Sequence, residues 1–313
     1  MTYLLIFITA VLTAFLLTPI IRSVALRFYI IDQKNRRKVH KKIITKLGGI
    51  SIYLAFLLSM VLAFFMEHVL LSSAVYSFGI IFICGSVIFL LGIYDDIKGA
   101  DAKVKFVTQI IVALLLIKSG FLLKELRTPF GIYDLGGFSV PVTLLWIVGI
   151  TNAVNLIDGL DGLAVGIVSI IAFFFFLISL SLGDGFSSFA FVALFGAGLG
   201  FLRYNFYPAK IFMGDTGSMF IGLIAAVLTL RIVLNPGFSA GIVVPIIAFG
   251  LPIADTSLAV FRRLGRGQHV FTADDSHIHH WLLKKGFSHR RSVIIMYSVT
   301  ILICFLAFFV SKL

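Results

Sequence analysis

Long apolar runs constrain this chain more than any other feature, because they repeat from one end to the other. Each run approaches the ~20 residues that a membrane-spanning helix needs, and the run from Ile167 to Leu182 contains no charged residue. Backbone groups in lipid must be satisfied within their own segment, so such runs form helices. Hydrophobic residues make up 60% of the 313 positions, against about 45–50% in soluble domains. The composition therefore predicts an all-α, polytopic membrane protein.

The apolar runs predict about ten transmembrane helices in a single integral membrane domain, residues 1–313. The two cysteines, Cys84 and Cys304, lie inside apolar runs and are interpreted as packing residues. The predicted helices are Tyr3–Leu26, Leu47–Glu67, Ser73–Tyr94, Lys103–Leu123, Pro141–Leu156, Leu163–Leu182, Ser187–Tyr204, Thr216–Leu234, Ala240–Arg262 and Ser292–Ser311.

The basic residues fix the predicted orientation. Of the 26 Lys and Arg residues, 21 fall at one set of helix ends and five at the other. Cytoplasmic loops carry the excess of Lys and Arg, so the first set is cytoplasmic and both termini are external. A net charge of +12 would suggest nucleic acid as a partner of a soluble protein. Here the positive-inside bias explains the charge better, and we expect the lipid bilayer as partner and no nucleic acid.

One predicted external loop differs from the others. The stretch Lys124–Val140 alternates apolar residues with glycines. This pattern is compatible with a short β-hairpin, and equally with an irregular loop.

The first polar cluster is the pair Asp95-Asp96, at the cytoplasmic end of the third predicted helix. The helix C-terminus carries the negative end of the dipole, so two carboxylates there need a positive partner. Nearby lysines can supply it, and a divalent cation such as Mg²⁺ suits paired carboxylates better. The alternative is a solvated pair in a cytoplasmic turn.

The second cluster spaces Asn152, Asn155, Asp158 and Asp161 three residues apart. Neighbours at this spacing share a helix face, and the glycines at 159 and 162 predict that the helix ends and the chain turns. Amides can bind a nucleobase or sugar, and carboxylates can accept from ribose hydroxyls or hold metal. The alternative is a purely structural polar turn.

The third cluster runs from Asn205 to Ser218 and leads into the eighth predicted helix. Free N–H groups at a helix N-terminus attract phosphate, whereas Asp215 could instead act only as an N-cap. Phe212 is suited to stacking on a flat base, although aromatic residues at membrane boundaries often serve only as anchors.

The fourth cluster, His277-Ile-His279-His280, places three histidines within four residues. This spacing fits zinc poorly, and imidazoles that bind phosphate fit better beside so many carboxylates. A solvated loop is the alternative. The basic first loop, which includes Lys41 and Lys42, either enforces topology or binds an anionic head group or nucleotide phosphate.

At these residues the chain resembles the polyprenyl-phosphate N-acetylhexosamine-1-phosphate transferases, over essentially its whole length. The four clusters occur in the family's order and at similar spacing. Within the family, His-Ile-His-His is similar to the branch that uses UDP-N-acetylglucosamine, whereas the MurNAc-pentapeptide branch typically has three consecutive histidines. Asp275 and Trp281 stand where the family often has arginine, and the first loop lacks the usual prolines.

The resemblance implies a bacterial inner-membrane enzyme with its active site at the cytoplasmic face. Such an enzyme moves a sugar 1-phosphate from a UDP-sugar to undecaprenyl phosphate with Mg²⁺, or alternatively Mn²⁺, and releases UMP. This step starts O-antigen, enterobacterial common antigen, teichoic acid or related glycans. A homodimer is suggested by resemblance alone.

By matched position, the resemblance assigns the metal to Asp215 together with Asp95 or Asp96. It assigns catalysis to Asp95, Asp96 and Asp158, with Asp95 as the candidate base and Asp158 as a candidate for a covalent intermediate. The residues assigned to substrate binding are Lys41, Lys42, Lys105, Asn152, Asn155, Asp161, Asn205, Phe212, His277, His279 and His280.

Two other functions stay open from the sequence. A MurNAc-pentapeptide transferase shares the implied fold and chemistry. A transporter is the alternative from another class, but transporters tend to place ionisable groups near the membrane midplane. Here most of the acids, including all those of the polar clusters, lie at a predicted cytoplasmic edge, and Asp255 is a partial exception inside a helix.

Overall fold

The computed structural model describes residues 1–31, 44–67, 74–128, 131–267 and 277–312, and helices dominate these ranges. This confirms the prediction of an all-α polytopic membrane protein. The α-helices of the described ranges are α1 (Thr2–Arg27), α2 (Gly49–Met66), α3 (Val75–Lys98), α4 (Ala102–Lys118), α5 (Ser139–Ile157), α6 (Leu163–Ser181), α7 (Gly185–Asn205), α8 (Gly214–Val233), α9 (Val243–Ala248), α10 (Gly250–Gly265), α11 (Ile278–Lys284) and α12 (His289–Val310).

Eight of the described helices are long and apolar enough to cross a membrane, namely α1, α2, α3, α5, α6, α7, α8 and α12. The predicted span Lys103–Leu123 corresponds to α4, which has only 17 residues. It ends early because the chain turns at Gly120, where φ is +104°. The total of about ten spans, and the external position of both termini, stay predictions.

The predicted span Ala240–Arg262 is divided into α9 and α10 at Phe249. Pro252 explains the break, because it has no N–H to donate to the carbonyl of Ala248 and its ring crowds that carbonyl. The short helix α11 lies between the predicted helices that end at Arg262 and begin at Ser292, where the sequence predicts no helix.

Helix α8 lies at the centre of the bundle. It packs against α2, α3, α5, α6 and α7, and 94% of its 18-residue apolar window is buried. The corresponding share is 28% for α1 and for α12. Helix α8 therefore contacts protein along nearly its whole length, whereas the outer helices expose broad apolar faces, as expected where a helix faces lipid.

Short connections bring three helix pairs together at one end of the bundle. Helices α3 and α4, α5 and α6, and α7 and α8 are joined by segments of three, five and eight residues. Short connections make neighbours antiparallel, so the carboxyl ends of α3, α5 and α7 meet the amino ends of α4, α6 and α8. The first three polar clusters of the sequence lie at this end.

The loop that the sequence predicts to be external contains a β-hairpin. Strand β1 (Glu125–Thr128) pairs antiparallel with β2 (Gly131–Asp134), and Leu126 lies opposite Tyr133. The hairpin docks through Arg127, whose guanidinium donates to the carbonyls of Asn235 and Pro236 after α8. Of the two alternatives that the sequence left open, the structure contains the hairpin.

The end of the bundle that carries the hairpin also holds a cavity of about 400 Å³, lined in part by Ser77, Asp184 and Arg231. The Nε atom of Arg231 lies 3.3 Å from Asp184 Oδ2, and its Nη1 donates to Ser77 Oγ. Asp184 also caps α7 by accepting from the N–H of Ser187. At this end, one carboxylate thus meets one guanidinium.

Candidate active site

Three carboxylates converge where the last turn of α3 meets the first turn of α8. Asp95, Asp96 and Asp215 each offer an oxygen atom, and these atoms all lie within 4.8 Å of one another. We call this group the acidic cluster. Helix α3 continues to Lys98, so Asp95 and Asp96 lie inside its last turn. Helix α8 begins at Gly214, two residues earlier than predicted, so Asp215 lies inside its first turn.

Asp96 is the member of the cluster that caps α8. Its Oδ1 accepts from the N–H of Asp215 at 3.1 Å, and its Oδ2 accepts from the N–H and the hydroxyl of Thr216 at 3.0 and 2.6 Å. The first N–H groups of a helix have no partner within the helix and carry the positive end of its dipole. The amino end of α8 therefore stabilises the negative charge of Asp96, which the carboxyl end of α3 disfavours. These three bonds leave one lone-pair site for a metal.

Lys105, on α4, lies between the other two carboxylates. Its Nζ atom is 2.8 Å from Asp215 Oδ2 and 3.2 Å from Asp95 Oδ2. Asp95 Oδ1 accepts from the backbone N–H of Ala100 at 2.6 Å. Within the described residues, the ammonium of Lys105 thus lies between Asp95 and Asp215, where a bound cation would contact both.

The residues of the acidic cluster fit a divalent metal ion. Oxygen ligands are those that Mg²⁺ and Mn²⁺ prefer, and the cluster supplies up to three from carboxylates. Among the described residues, Lys105 is the one cation that contacts these acids, and a divalent ion in its place would offset more negative charge. Asp95 and Asp215 would be the stronger ligands, because a metal could replace the Lys105 ammonium that each of them binds. Both oxygens of Asp96 are instead held by backbone N–H groups of α8.

Glycines allow α3 and α8 to approach closely enough to bring the acids together. A side chain at Gly92 would overlap the backbone of Asp215 and Thr216. Gly214 has φ +70°, and a Cβ there would strike the carboxylate of Asp96. Both positions require the absence of a side chain, because backbone or carboxylate atoms occupy the space.

The second motif follows the end of α5 into a turn, as the sequence predicts. Asn152 donates to Gln109 Oε1 of α4 at 2.5 Å and to the carbonyl of Val148 at 2.8 Å. Asn155 donates to Ser218 Oγ of α8 at 2.8 Å. These bonds connect Asn152 to α4 and Asn155 to the first turn of α8, although both amides lie on α5.

Asp158 begins the turn between α5 and α6 and is half-buried. Burial raises the pKa of its carboxyl to about 8, and the negative charges of Asp215, Asp96 and Asp161 add to the effect. A carboxyl with this pKa carries a proton at neutral pH. It can therefore donate a hydrogen bond, which an ionised carboxylate cannot do.

Asp161 and Asn205 connect the turn after α5 to the segment before α8. Asp161 Oδ2 accepts from the N–H of Ala209 at 2.9 Å. Asn205 accepts from the N–H of Gly162 and donates to the carbonyl of Ile211. Both side chains are at most 4% exposed. Their contacts give them a structural role in shaping the site, and direct binding of substrate by either stays a prediction.

Phe212 lies in that same segment and is half-buried. Its N–H donates to the carbonyl of Thr45, and its carbonyl accepts from the N–H of Gly48. These bonds align the end of the basic first loop with the entrance to α8. Lys41 and Lys42, predicted to bind substrate from that loop, lie outside the described residues.

The histidine motif lies against the turn after α5. A side chain at Gly159 would overlap the ring of His279, whose ring centre is 4.3 Å from that of His280. Burial, and next the neighbouring His280, lower the pKa of His279 to about 3. His279 is therefore neutral at physiological pH and is not suited to bind phosphate as a cation, one of the roles considered for this motif. His277 bonds to Asp255, with 2.8 Å between Nδ1 and Oδ2.

Several contact residues were not singled out from the sequence. Thr216, Ser218 and Gln109 hold Asp96, Asn155 and Asn152, as described above. Tyr297 and His289 come from α12, where the hydroxyl of Tyr297 donates to the carbonyl of Gly162 and His289 Nε2 accepts from the N–H of Asp161. A long-range hydrogen bond leaves no periodic pattern in a sequence. The only available signal was a polar residue within an apolar run, as at Gln109.

A family model described as glycosyl transferase family 4 matches residues 78–233. That range includes the acidic cluster and the motif at the end of α5. The histidine motif lies after residue 233, and the longer similarities to individual proteins extend over it.

The chain is 40% identical over 298 residues to a probable undecaprenyl-phosphate N-acetylglucosaminyl 1-phosphate transferase from Bacillus subtilis, covering 94% of this chain and 80% of that protein. It is 34% identical over 316 residues to a decaprenyl-phosphate N-acetylglucosaminephosphotransferase from Mycolicibacterium smegmatis, covering 93% of this chain and 77% of the relative. A phospho-N-acetylmuramoyl-pentapeptide-transferase from Clostridium perfringens is 34% identical over 213 residues, 62% of each chain.

These similarities confirm the resemblance that the motifs indicated. The two matches to N-acetylglucosamine phosphate transferases extend over nearly the whole chain, whereas the match to the pentapeptide transferase covers less than two thirds. The branch suggested by the histidine motif is therefore supported as well. The chain belongs to glycosyl transferase family 4.

Proposed function

We propose that the protein transfers N-acetylglucosamine 1-phosphate from UDP-N-acetylglucosamine to undecaprenyl phosphate and releases UMP. The reaction would take place at the cytoplasmic face of a bacterial inner membrane, as the first membrane step of a cell-envelope glycan. The observation that carries the proposal is the acidic cluster with its single ammonium, at one end of a membrane helix bundle. The near full-length similarity to the Bacillus subtilis relative supports the choice of substrates.

The bonding changes are those of a phosphoryl transfer. An oxygen atom of the lipid phosphate forms a bond to the β-phosphorus of the donor. The bond from that phosphorus to the bridging oxygen breaks, and UMP leaves with the bridging oxygen. Protein groups contribute mainly position and charge to such a reaction.

The acidic cluster would hold the metal, Mg²⁺ in our proposal and Mn²⁺ as the alternative. When bound, the metal supplies positive charge to the diphosphate oxygens. The acceptor phosphate is largely ionised at neutral pH, so little base catalysis is needed, and Asp95 is the residue that would take a remaining proton.

Lys105 would bind the donor phosphates once a metal takes its place between the carboxylates. Asp158 carries a proton at neutral pH because its pKa is about 8. This state suits a hydrogen bond to a phosphate oxygen better than it suits nucleophilic attack, so we favour direct transfer without a covalent intermediate. Asn155 and Phe212 would contact the uridine part of the donor.

A MurNAc-pentapeptide transferase is the second candidate, favoured by the similarity to the Clostridium perfringens relative. The geometry gives less support to a transporter. The acids of the cluster lie at helix ends, where a soluble donor can meet a lipid acceptor, and not at the midplane of the bundle.

UMP release by the purified protein tests the proposal. The reaction contains undecaprenyl phosphate, Mg²⁺ and either UDP-N-acetylglucosamine or UDP-MurNAc-pentapeptide, and mass spectrometry identifies the lipid product. We expect UMP and a lipid-linked N-acetylglucosamine diphosphate from the first donor alone. UMP from the second donor alone would support the same type of transfer but would contradict N-acetylglucosamine as the transferred sugar. Folded protein that releases UMP from neither would contradict the proposal.

A further inference from the structure

Asp255 is a buried acid to which neither the motifs nor the acidic cluster gives a role. It lies in α10, is 1% exposed, and directly follows an apolar run. A buried carboxylate is costly unless it is fully hydrogen-bonded, so its partners indicate what it does. Both of its oxygens are directed at the start of α11.

The two oxygens of Asp255 hold neighbouring residues. Oδ2 lies 2.8 Å from Nδ1 of His277, and Oδ1 accepts from the backbone N–H of Ile278 at 2.7 Å. His277 is the N-cap residue of α11, but its own side chain makes no capping bond. Asp255 therefore satisfies the first free N–H of α11 and fixes the ring of His277 at the same time.

This arrangement determines which ring nitrogen of His277 carries hydrogen. An ionised carboxylate only accepts hydrogen bonds, so Nδ1 must be the donor. Nε2 is then the ring atom left for other contacts, and no group within the described ranges bonds to it. The partner of one ring nitrogen sets the state of the other in this way whenever an imidazole is held by a carboxylate.

Helix α11 lies next to the turn that begins with Asp158. His279 packs on Gly159, and the ring of His277 is parallel to that of His279, with 5.5 Å between ring centres. The position of His277 is thus coupled to the turn that connects α5 and α6, although Asp255 itself contacts none of the acids of the cluster.

We propose that Asp255 is a positioning residue for transfer. It holds His277 with hydrogen on Nδ1, so that Nε2 meets the sugar 1-phosphate part of the donor. The inference rests on the proposed function, because it assumes that a nucleotide sugar binds at this end of the bundle.

The variant Asp255→Asn tests this role with little change in shape. The amide oxygen can still accept from the N–H of Ile278, which preserves the start of α11. The amide NH₂ would donate to Nδ1 of His277 and move the ring hydrogen to Nε2. We expect kcat/KM for transfer to fall about 10–100-fold, as is typical when the orienting partner of a functional histidine is lost.

A double-mutant cycle separates positioning from a general effect on folding. If Asp255 acts through His277, Asp255→Asn should cause no further loss in a His277→Ala background. An equal loss in both backgrounds, or near-normal activity of Asp255→Asn, would overturn the proposal. Asp184→Asn is the matched control, since Asp184 is also a buried acid that caps a helix but lies at the opposite end of the bundle.

The ring hydrogen can be observed directly by ¹⁵N NMR with labelled histidine, assigned by comparison with His277→Ala. We expect a protonated Nδ1 for His277 in the wild-type protein and an unprotonated Nδ1 in Asp255→Asn. An unprotonated Nδ1 in the wild type would overturn the proposal even if the variant fails to fold. Because the spectrum needs no substrate, it also distinguishes this failure from a failure of the proposed reaction, which would appear as absence of UMP release by the wild type.

Discussion

The two ends of α8 bury charge in different ways. At its carboxyl end, one carboxylate, Asp184, meets one guanidinium, Arg231, and the pair is balanced. At its amino end, the three carboxylates of the acidic cluster have one cationic side chain among the described residues, Lys105, which contacts Asp95 and Asp215. Both ends use an acid to cap a helix, since Asp184 caps α7 and Asp96 caps α8. Capping therefore needs one acid at each end, and the extra acids at the amino end need another explanation.

An excess of like charge is unfavourable in a half-buried site, because neighbouring carboxylates disfavour each other's ionised form. A protein retains such a group where the excess has a use, most often at a functional site. The balanced end thus indicates what helix packing requires, and the additional acids at the other end fit the cation binding and phosphate transfer that we propose.

The largest expected difference between the two ends is in catalysis. Asp215→Asn should lower the transfer rate on the order of 10²–10³-fold, as is typical when a preorganised charge is removed from a catalytic site. Asp184→Asn, its counterpart at the balanced end, should leave the rate per folded molecule unchanged. UMP release at saturating Mg²⁺ measures both. Near-normal turnover by Asp215→Asn would show that the metal assignment is wrong.

Lys105→Met should separate metal binding from catalysis. Its ammonium competes with a cation for Asp95 and Asp215, so its removal should tighten the binding of Mn²⁺, measured by electron paramagnetic resonance. The transfer rate should still fall about 10–100-fold, because a charge-assisted hydrogen bond to the donor phosphates, worth ~1.5–3 kcal/mol, is lost.

Lys103→Met is the control for this change, since Lys103 lies on the same helix but is exposed and has no contact with the cluster among the described residues. Weaker Mn²⁺ binding in Lys105→Met would contradict the view that its ammonium occupies the position of a cation.

At the balanced end, Arg231→Met should reduce stability without changing catalysis. Asp184 would be left buried without its charged partner, and the free energy of unfolding should fall by about 1–3 kcal/mol. Unfolding in detergent and UMP release by the folded fraction are the measurements. A large loss of transfer with unchanged stability would mean that the two ends of α8 are not independent.

The last expected effect concerns pH and changes stability, not catalysis. The pKa of Asp158 is raised from 3.8 to about 8, so the folded protein holds a proton between about pH 4 and pH 8 that the unfolded chain releases. The contribution of Asp158 to stability is therefore present at low pH and is lost as the pH rises through this window. In metal-free buffer, the stability of the wild type relative to Asp158→Asn should decline from acid to neutral pH. A constant difference would contradict the raised pKa.

The membrane architecture could be predicted from the sequence because apolar length alone specifies a spanning helix. The prediction of one continuous helix over Ala240–Arg262 was wrong, because hydropathy is continuous there but Pro252 interrupts the backbone hydrogen bonding. Helix α11 was also missed, because its seven residues are too few to produce a clear periodic signal.

The convergence of the acids could be predicted as well, since alternating helices place every second connection at one end. The individual roles could not. Asp96 is chemically equal to its neighbour Asp95, and only the fold shows that its oxygens accept from α8. Likewise, only the fold shows that Asn205 accepts from the N–H of Gly162. The pairing of Asp255 with His277 spans 22 positions, and no local pattern connects them.

The enclosure of α8 has a consequence for the lipid environment in which this site can operate. Membranes differ in hydrocarbon thickness, and a helix that is too long or too short for its bilayer adapts by tilting or by deforming the lipid around it. Such adjustment acts on helices that face lipid, here chiefly α1, α3 and α12, whose windows are at most 33% buried. Helix α8, which carries Asp215, is shielded from the acyl chains. The end of α3 that carries Asp95 and Asp96 is fixed to α8 by the close approach of Gly92 to Thr216 and by the bonds of Asp96 to the first turn of α8. We therefore expect the acidic cluster to keep its geometry in bilayers of different thickness.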